Sequence, residues 1–196
     1  MNKHIHHYGY FHIVIKAPNH QCILGSNNER AFIMSQLQDL LSPRLLINEI
    51  PDYRQLASCI DLLAFYISSE SINLLIFTID QKLANNLAAV IQIRLEEFQL
   101  YKLFPARPAH TKNKFYIKKL HNQHEAFLES VKIHRLSRDW QYDRYSSIGF
   151  YIHDRRGDWM RIWRLTKLYD NQPEHYFQTV LQSSTSLSRA ASLTTS

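Results

Sequence analysis

Two short apolar segments, separated by only three residues, restrict the fold of this chain more than any other feature. Residues 61–68 (DLLAFYIS) and 72–79 (INLLIFTI) have the length and the aliphatic and aromatic content of buried strands. The residues between them are enough for a tight turn, whereas a crossover to a parallel strand needs a dozen residues or more. The two segments therefore predict an antiparallel hairpin, and the fold must contain a sheet built around it.

The chain before the hairpin predicts one strand followed by one helix. In residues 10–17 (YFHIVIKA), apolar side chains alternate with others at the strand period of two. A helix should then begin at an N-cap formed by Ser26 or Asn27 and end at Ser42 and Pro43, because its apolar positions recur at helical spacing.

The chain after the hairpin continues with a long helix, a strand and another helix. Apolar residues recur at helical spacing from about residue 83 to 101, residues 114–120 (KFYIKKL) resemble a strand, and residues 124–136 resemble a helix. The whole order predicts an α+β protein: a ferredoxin-like antiparallel sheet with helices packed on one face, plus C-terminal helices.

The domain boundaries follow from these patterns. Residues 1–136 are predicted to form the ferredoxin-like domain, and residues 137–182 a C-terminal helical extension whose last helix spans about 173–181. Residues 183–196 (SSTSLSRAASLTTS) are expected to form a flexible tail, since they have few large side chains to bury. Residues 44–60 give a weaker signal, with a short strand and then a short helix as the expectation.

Composition limits the classes of function. With 45% hydrophobic residues the chain can bury a core, and it lacks the roughly 20 consecutive apolar residues of a membrane span, so we expect a cytoplasmic protein that does not enter a membrane. Cys22 and Cys59 form no CxxC pair and are expected to be small buried residues. The four glycines form no phosphate-binding loop, no serine nucleophile motif is present, and we predict no cofactor.

Two groups of histidines are candidate metal ligands, and neither is favoured as a metal site. An N-terminal group could bind a transition metal, but most of it lies in a segment without predicted geometry, and incidental surface positions are the favoured interpretation; this group comprises His4, His6, His7 and His12. His121 and His124 have only Glu125 nearby as a carboxylate partner. We therefore predict no metal site.

Positive charge is concentrated in one segment. The formal net charge is +6, and residues 98–124 contain no acidic side chain. Aromatic residues interleave with the cations of this segment, a combination that suits a polyanion with bases that can stack. The predicted nucleic-acid contacts are Arg107, Lys112, Lys114, Phe115, Tyr116, Lys118 and Lys119. An ordinary solvated loop is the alternative.

A second basic stretch lies at residues 153–167 (HDRRGDWMRIWRLTK). If the part after Gly157 is helical, Trp159, Ile162 and Trp163 share one face. Guanidinium groups suit phosphate, so this stretch extends the predicted contacts with Arg155, Arg156, Arg161 and Arg164.

The order and spacing of these pieces resemble the REP-associated tyrosine transposases, a branch of the IS200-like (HUH) enzymes. The similar segments are YFHIVIKAPNHQCILGSNNERAFIMSQLQDLL, the paired strands LLAFYISSESINLLIF, the long helix LANNLAAVIQIRLEEFQ and the strand NKFYIKKL. The family's aromatic Trp-Ser-Ser-Tyr element is similar to DWQYDRYSSIGFYI. The resemblance spans residues 8–176 and implies a scaffold for single-stranded DNA.

The residues that the resemblance implies for catalysis are absent. Family members bind a divalent metal through a His-hydrophobic-His pair. Two residues that are two positions apart on a strand point to the same side, so both histidines can share one ion. Here the aligned positions are Ser71 and Asn73, and Lys132 stands at the position of the tyrosine nucleophile. Tyr116 is the fallback nucleophile.

The resemblance and the charge pattern together lead to an expectation of function. We expect a catalytically inactive, transposase-like protein that binds single-stranded or hairpin DNA, as a regulator or as a domesticated targeting subunit. One alternative is an active tyrosine transposase or single-strand endonuclease with a non-standard site, and another is a protein interaction module. A homodimer or a place in a larger complex stays open.

Overall fold

The predicted hairpin is present in the computed structural model, which describes residues 8–17, 22–42, 56–102, 113–153, 155–169 and 172–192. Strands β2 (Ile60–Ile67) and β3 (Ser71–Thr78) pair antiparallel. The Ser68 hydroxyl closes the turn, accepting from the backbone N–H of Ser71 at 3.0 Å and of Glu70 at 3.2 Å. The polar residues between the strands are therefore explained by turn chemistry.

The remaining elements complete a four-stranded antiparallel sheet with the order β2-β3-β1-β4. This order, with a helix in each crossover, is the ferredoxin-like arrangement that the sequence predicted. The other elements up to residue 134 are strand β1 (Gly9–Lys16), helix α1 (Asn27–Leu41), helix α2 (Leu56–Cys59), helix α3 (Gln81–Lys102), strand β4 (Lys114–Leu120) and helix α4 (Gln123–His134).

Helix α1 begins where the sequence predicted because its first turn is capped from both sides. Ser26 is the N-cap: its hydroxyl accepts from the backbone N–H of Glu29, and the Glu29 carboxylate accepts from the backbone N–H of Ser26. This reciprocal capping box satisfies donors that a bare helix end leaves unpaired.

The sheet is covered on both faces. Phe11, Ile13 and Ile15 of β1 are fully buried and point to the face covered by α1 and α3, which pack together through the stacked rings of Phe32 and Phe98. Residues at the alternate positions of β1 point the other way. That second face carries α4, so β2 and β3 are buried on both sides.

The C-terminal segment covers the outer edge of β2. It contains helices α5 (Gly149–Ile152), α6 (Trp163–Thr166) and α7 (Pro173–Ser192), and a short 3-10 helix (Lys167–Tyr169). Bridges join Tyr66 to Ser146 and Leu62 to Met160. Because β2 is closed in this way, and no described residue pairs with the outer edge of β4, the accessible sheet edge is that of β4.

Two local expectations are wrong. The stretch after Gly157 is not one helix: Trp159 is buried at 4% exposure before α6 begins, whereas Trp163 is 47% exposed, so they do not share a face. Residues 158 and 159 instead form a turn, and the Arg161 N–H then donates to the Leu62 carbonyl at the edge of β2 at 2.8 Å, before the helix begins. The cysteines are not buried either, since Cys22 is exposed and Cys59 is half-buried.

Two predicted segments differ from the expectation or are only partly described. Helix α7 continues past residue 181 to Ser192, through a run without glycine or proline. Of residues 44–60, only the part from Leu56 is described, and it forms α2 and the start of β2.

In the described part of the chain, no helix combines the length and apolar character that crossing a membrane requires.

Candidate nucleic-acid interface

The strand register places the residues that the resemblance aligns with a catalytic site in neighbouring rows on the face that carries α4. One row crosses all four strands through Tyr116, Val14, Asn73 and Tyr66. The next row toward the strand ends contains Lys114, Lys16 and Ser71. The structure thus brings Ser71, Asn73 and Tyr116 onto one surface.

A chain of polar contacts, which we call the polar patch, links this surface to α4. It consists of Ser71, Asn73, His12 and Glu129, and of the two lysines that contact Glu129, Lys118 and Lys132. The Asn73 amide donates to the Ser71 hydroxyl at 2.9 Å. The His12 ring lies between Asn73, with Nε2 at 3.3 Å from Oδ1, and Glu129, with Nδ1 at 3.0 Å from Oε1. Asn73 is 5% exposed and Glu129 8%, so these groups satisfy one another largely out of water.

The protonation of His12 depends on how the Asn73 amide is oriented. As placed, both ring nitrogens face oxygen acceptors, which only an imidazolium satisfies. Rotating the amide by half a turn lets its nitrogen donate to Nε2 and its oxygen accept from Ser71, and a neutral ring then donates from Nδ1 to Glu129. Burial lowers the pKa of His12, although the Glu129 charge and the Asn73 contact oppose this shift. The neutral ring with the rotated amide is therefore the favoured state.

Two lysines neutralise the carboxylate of Glu129. The Nζ atom of Lys132 lies 3.4 Å and that of Lys118 3.6 Å from Oε2. Their side chains are 70% and 57% exposed, so each reaches from solvent to a nearly buried carboxylate. Both ammonium groups remain accessible to a further anion.

These residues do not fit the divalent metal that the resemblance implies. His12 presents opposite ring nitrogens to Asn73 and Glu129, so one ion cannot take an imidazole nitrogen and both oxygen ligands together. Ser71 and Asn73 stand at the positions that the resemblance aligns with the family's two imidazoles, and Glu129 already contacts two ammonium groups. Among the described residues, no group of three or more His, Cys, Asp or Glu side chains is placed to hold a metal ion.

The fallback nucleophile lies apart from the polar patch. Tyr116 is 52% exposed, and its ring contacts the ammonium group of Lys16, with Nζ 5.2 Å from the centroid. Val14 separates it from Asn73 in the row, a span of two strand spacings or about 10 Å. Its phenol stands beside cations and is accessible to a ligand.

Strand β4 carries cations and rings along the accessible edge of the sheet. Five of its seven residues are exposed, and all five are among the predicted nucleic-acid contacts: Lys114, Phe115, Tyr116, Lys118 and Lys119. Strand alternation places Lys114, Tyr116 and Lys118 on the face of the polar patch and Phe115 and Lys119 on the opposite face. Arg107 and Lys112 lie outside the described residues.

The predicted arginines of the C-terminal stretch have several different roles. Arg164 forms an ion pair with Asp61 and lies 3.9 Å above the Phe77 ring, and Arg155 lies 4.8 Å above the Phe150 ring. Arg161 donates to the backbone carbonyl of Asp158, and Arg156 is exposed. Arg164 and Arg155 thus hold the C-terminal segment against the sheet, and the structure does not bring these four residues next to β4.

Sequence reasoning missed two members of the polar patch. His12 was grouped with incidental surface histidines, and Glu129 was not singled out. The alternation of β1 did carry a signal, because it places His12 opposite the buried Phe11, Ile13 and Ile15. The expectation that His12 is a surface residue is wrong, since its side chain is only 13% exposed.

The other histidine pair forms no larger site. His121 Nδ1 lies 2.8 Å from the carboxylate of Glu125, and hydrogen bonds from His121 lower the pKa of that exposed carboxyl. The ring of His124 instead lies near Phe127. The remaining histidines of the predicted N-terminal group lie outside the described residues.

Comparisons with known proteins returned no match, whether against protein-family models, curated proteins or solved structures.

Proposed function

We propose that this chain is a catalytically inactive, transposase-like protein that binds single-stranded or hairpin DNA through β4 and the adjoining polar patch. The observation that carries the proposal is β4 itself, an accessible edge strand with cations on both faces and two exposed rings. Cations hold phosphates, and an aromatic ring offers a platform for any base. A cytoplasmic location fits its unpaired cysteines.

The polar patch supports binding without cleavage. A carboxylate shared by Lys118 and Lys132 and an imidazole fixed between two side chains already satisfy one another. Residues committed to each other in this way provide neither an open metal position nor an unengaged general base beside a nucleophile. They do leave the ammonium groups of Lys118 and Lys132 accessible, on the same side of the sheet as the exposed ring of Tyr116.

Removing charge from β4 should weaken DNA binding in a salt-dependent way. For single strands, each phosphate contact contributes about 0.7 to the slope of log K against log salt concentration, and therefore about 5-fold in affinity near 0.1 M salt. The double variant Lys114→Gln/Lys119→Gln should accordingly lose about 25-fold in affinity and about 1.4 in slope. Fluorescence anisotropy of a labelled single-stranded oligonucleotide over a salt series measures both.

The matched control is Lys82→Gln, which removes one exposed charge from the first turn of α3, outside β4 and the polar patch. Its affinity and slope should equal those of the unaltered protein. Equal effects of the control and β4 variants, or binding that does not respond to salt, would contradict the proposal. Binding that does not respond to salt is what the interaction-module alternative predicts, because a partner would then be held by the apolar C-terminal helices.

Incubating the protein with labelled hairpin DNA and Mg²⁺ or Mn²⁺ should yield no covalent protein–DNA adduct. The reason is that no described group of residues supplies both the metal ligands and an adjacent nucleophile. Denaturing electrophoresis detects such an adduct directly. An adduct that forms with the unaltered protein and disappears in Tyr116→Phe would establish the enzymatic alternative instead.

A further inference from the structure

Three arginines contact Tyr145 or the backbone on either side of it, at the sheet edge opposite β4, and we call them the arginine cluster: Arg30, Arg144 and Arg155. The guanidinium carbons of Arg30 and Arg144 lie 5.0 Å and 4.8 Å from the centroid of the Tyr145 ring. Arg155 donates to the backbone carbonyls of Arg144 at 3.1 Å and Ser146 at 3.4 Å. One ring and one short backbone segment thus hold all three cationic side chains.

The cluster has little internal compensation for its charge. Within the described part of the chain, no carboxylate lies within 4.0 Å of any of the three guanidinium groups. Arg30 donates to the Asn27 side chain at 2.6 Å, but its buried Nε–H has no partner. The nearby Asp143 carboxylate already accepts the backbone N–H of Tyr145 at 2.9 Å. An external anion would supply a counter-charge for these groups.

Packing explains one of the three arginines but not the exposed one. Arg155 is half-buried on Phe150 and fastens the segment through two carbonyls, which is a structural role. Arg144 is exposed, and among described residues its side chain contacts only the Tyr145 ring. A guanidinium held over a ring keeps its outer donors available and has less rotamer freedom to lose on binding.

The cluster lies beside β2, at the sheet edge opposite β4. The backbone N–H of Ile67 in β2 donates to the Tyr145 carbonyl at 3.0 Å, and Ser146 forms a bridge to Tyr66. The segment therefore occupies the place of a fifth strand beyond β2. Four strand spacings of about 4.8 Å place it about 19 Å from β4, a distance covered by about six stacked nucleotides.

We propose that Arg144, supported by Arg30, binds a backbone phosphate of the same single strand that β4 holds, so that the nucleic acid crosses the ends of all four strands. This inference rests on the proposed function, because β4 must bind the strand for the cluster to hold its other end. The strand ends between them present Lys16 and the Ser71 hydroxyl, in the row that starts at Lys114. Glu70, exposed on the intervening turn, restricts where phosphates pass.

The test is the salt dependence of binding to a single-stranded oligonucleotide of about 15 nucleotides, long enough to span both ends. Arg144→Gln should reduce the slope by about 0.7 and the affinity near 0.1 M salt by about 5-fold. Arg144→Lys should restore most of the slope because the charge remains. When Arg144→Gln is combined with Lys114→Gln/Lys119→Gln, the losses of affinity and of slope should add. One oligonucleotide should bind per chain.

The outcomes separate this inference from the proposed function. If the β4 variants lose affinity but Arg144→Gln behaves like Lys82→Gln, the crossing path is wrong and the proposed function stands. Binding of two oligonucleotides per chain would also overturn the path, since the two ends would then hold separate strands. If no oligonucleotide binds, or the β4 variants bind normally, both proposals fall. Because Arg144 is exposed, the thermal midpoint of Arg144→Gln should stay unchanged, and a drop would indicate a structural role.

Discussion

Tyr176→Ala should remove a large share of the stability of this fold. Tyr176 is fully buried on α7 and stacks on Tyr151 at 4.5 Å, while its hydroxyl lies 2.6 Å from His134 Nδ1 and 3.0 Å from the Ser130 hydroxyl. Truncating a buried aromatic side chain to alanine typically costs about 3 to 5 kcal/mol, out of a total of about 5 to 15 kcal/mol for a domain. Chemical denaturation measures the loss.

Two further substitutions show where the loss arises. Tyr176→Phe keeps the ring but leaves His134 without its phenolic partner, which should cost about 1 to 3 kcal/mol. Tyr142→Ala makes the same truncation at a residue that is 81% exposed, and should change stability by no more than about 0.5 kcal/mol. If Tyr176→Ala is as stable as Tyr142→Ala, α7 does not pack as described.

The parts of the fold that the sequence predicted are those with a local signal. The strand period of β1, the helical period of α3 and the reciprocal cap formed by Ser26 and Glu29 are all complete within a few residues of chain. Such patterns indicate which side of a helix or strand is apolar, and the order of the helices and strands along the chain then predicts a sheet covered by helices. Local consistency was therefore sufficient for the fold class.

The position of the C-terminal segment could not be predicted, because its contacts are polar and distant along the chain. The Ser147 hydroxyl accepts the backbone N–H of Phe65 at 2.8 Å across 82 residues. Hydrogen bonds of hydroxyl and backbone groups leave no periodic pattern in the sequence. The sequence therefore predicted a helix directly after Gly157, where the chain instead bonds to the edge of β2. For the same reason the internal roles of Arg155 and Arg164 were hidden, since an arginine has the same sequence signature on a surface and over a buried ring.

The candidate site was half predictable. Alternation correctly places Ser71 and Asn73 side by side on one face of β3, and the resemblance selected the helix that carries Lys132. Nothing local indicates that Glu129 of α4 lies over His12 of β1, because that contact depends on how the helix crosses the sheet. The sequence therefore identified some of the residues of the polar patch but not the contacts that join them.

The same limitation hid a buried relay that joins four parts of the fold. His134 of α4 lies 2.6 Å from the Tyr176 hydroxyl through Nδ1 and 2.6 Å from the Ser147 hydroxyl through Nε2. A neutral ring satisfies every group: Tyr176 donates to Nδ1, Nε2–H donates to Ser147, and Ser147 donates to the Phe65 carbonyl at 3.2 Å. An imidazolium would instead face two hydroxyl groups without any counter-charge, which is unfavourable in a dry interior.

Acidification should therefore destabilise the protein through His134. Burial lowers the pKa of His134 from its ordinary value of 6.5 to about 3 in the folded chain. Between these values the unfolded chain binds one proton more than the folded chain, so stability falls as pH falls, by about 1.4 kcal/mol per pH unit. The loss is absent above pH 6.5 and reaches about 4 to 5 kcal/mol near pH 3. Burial also lowers the pKa of His12, which adds to the loss in the same direction.

Two measurements isolate the contribution of His134. Denaturation curves between pH 7 and pH 3 should fall less steeply for His134→Gln, which cannot take up the proton, than for the unaltered chain. His175→Gln, which removes an exposed histidine from α7, should keep the full slope. Where His134→Gln does not fold, the imidazole resonances of the unaltered protein give the same answer. They should show no protonation of His134 while the protein remains folded above about pH 4, and a midpoint near 6.5 would overturn the buried relay.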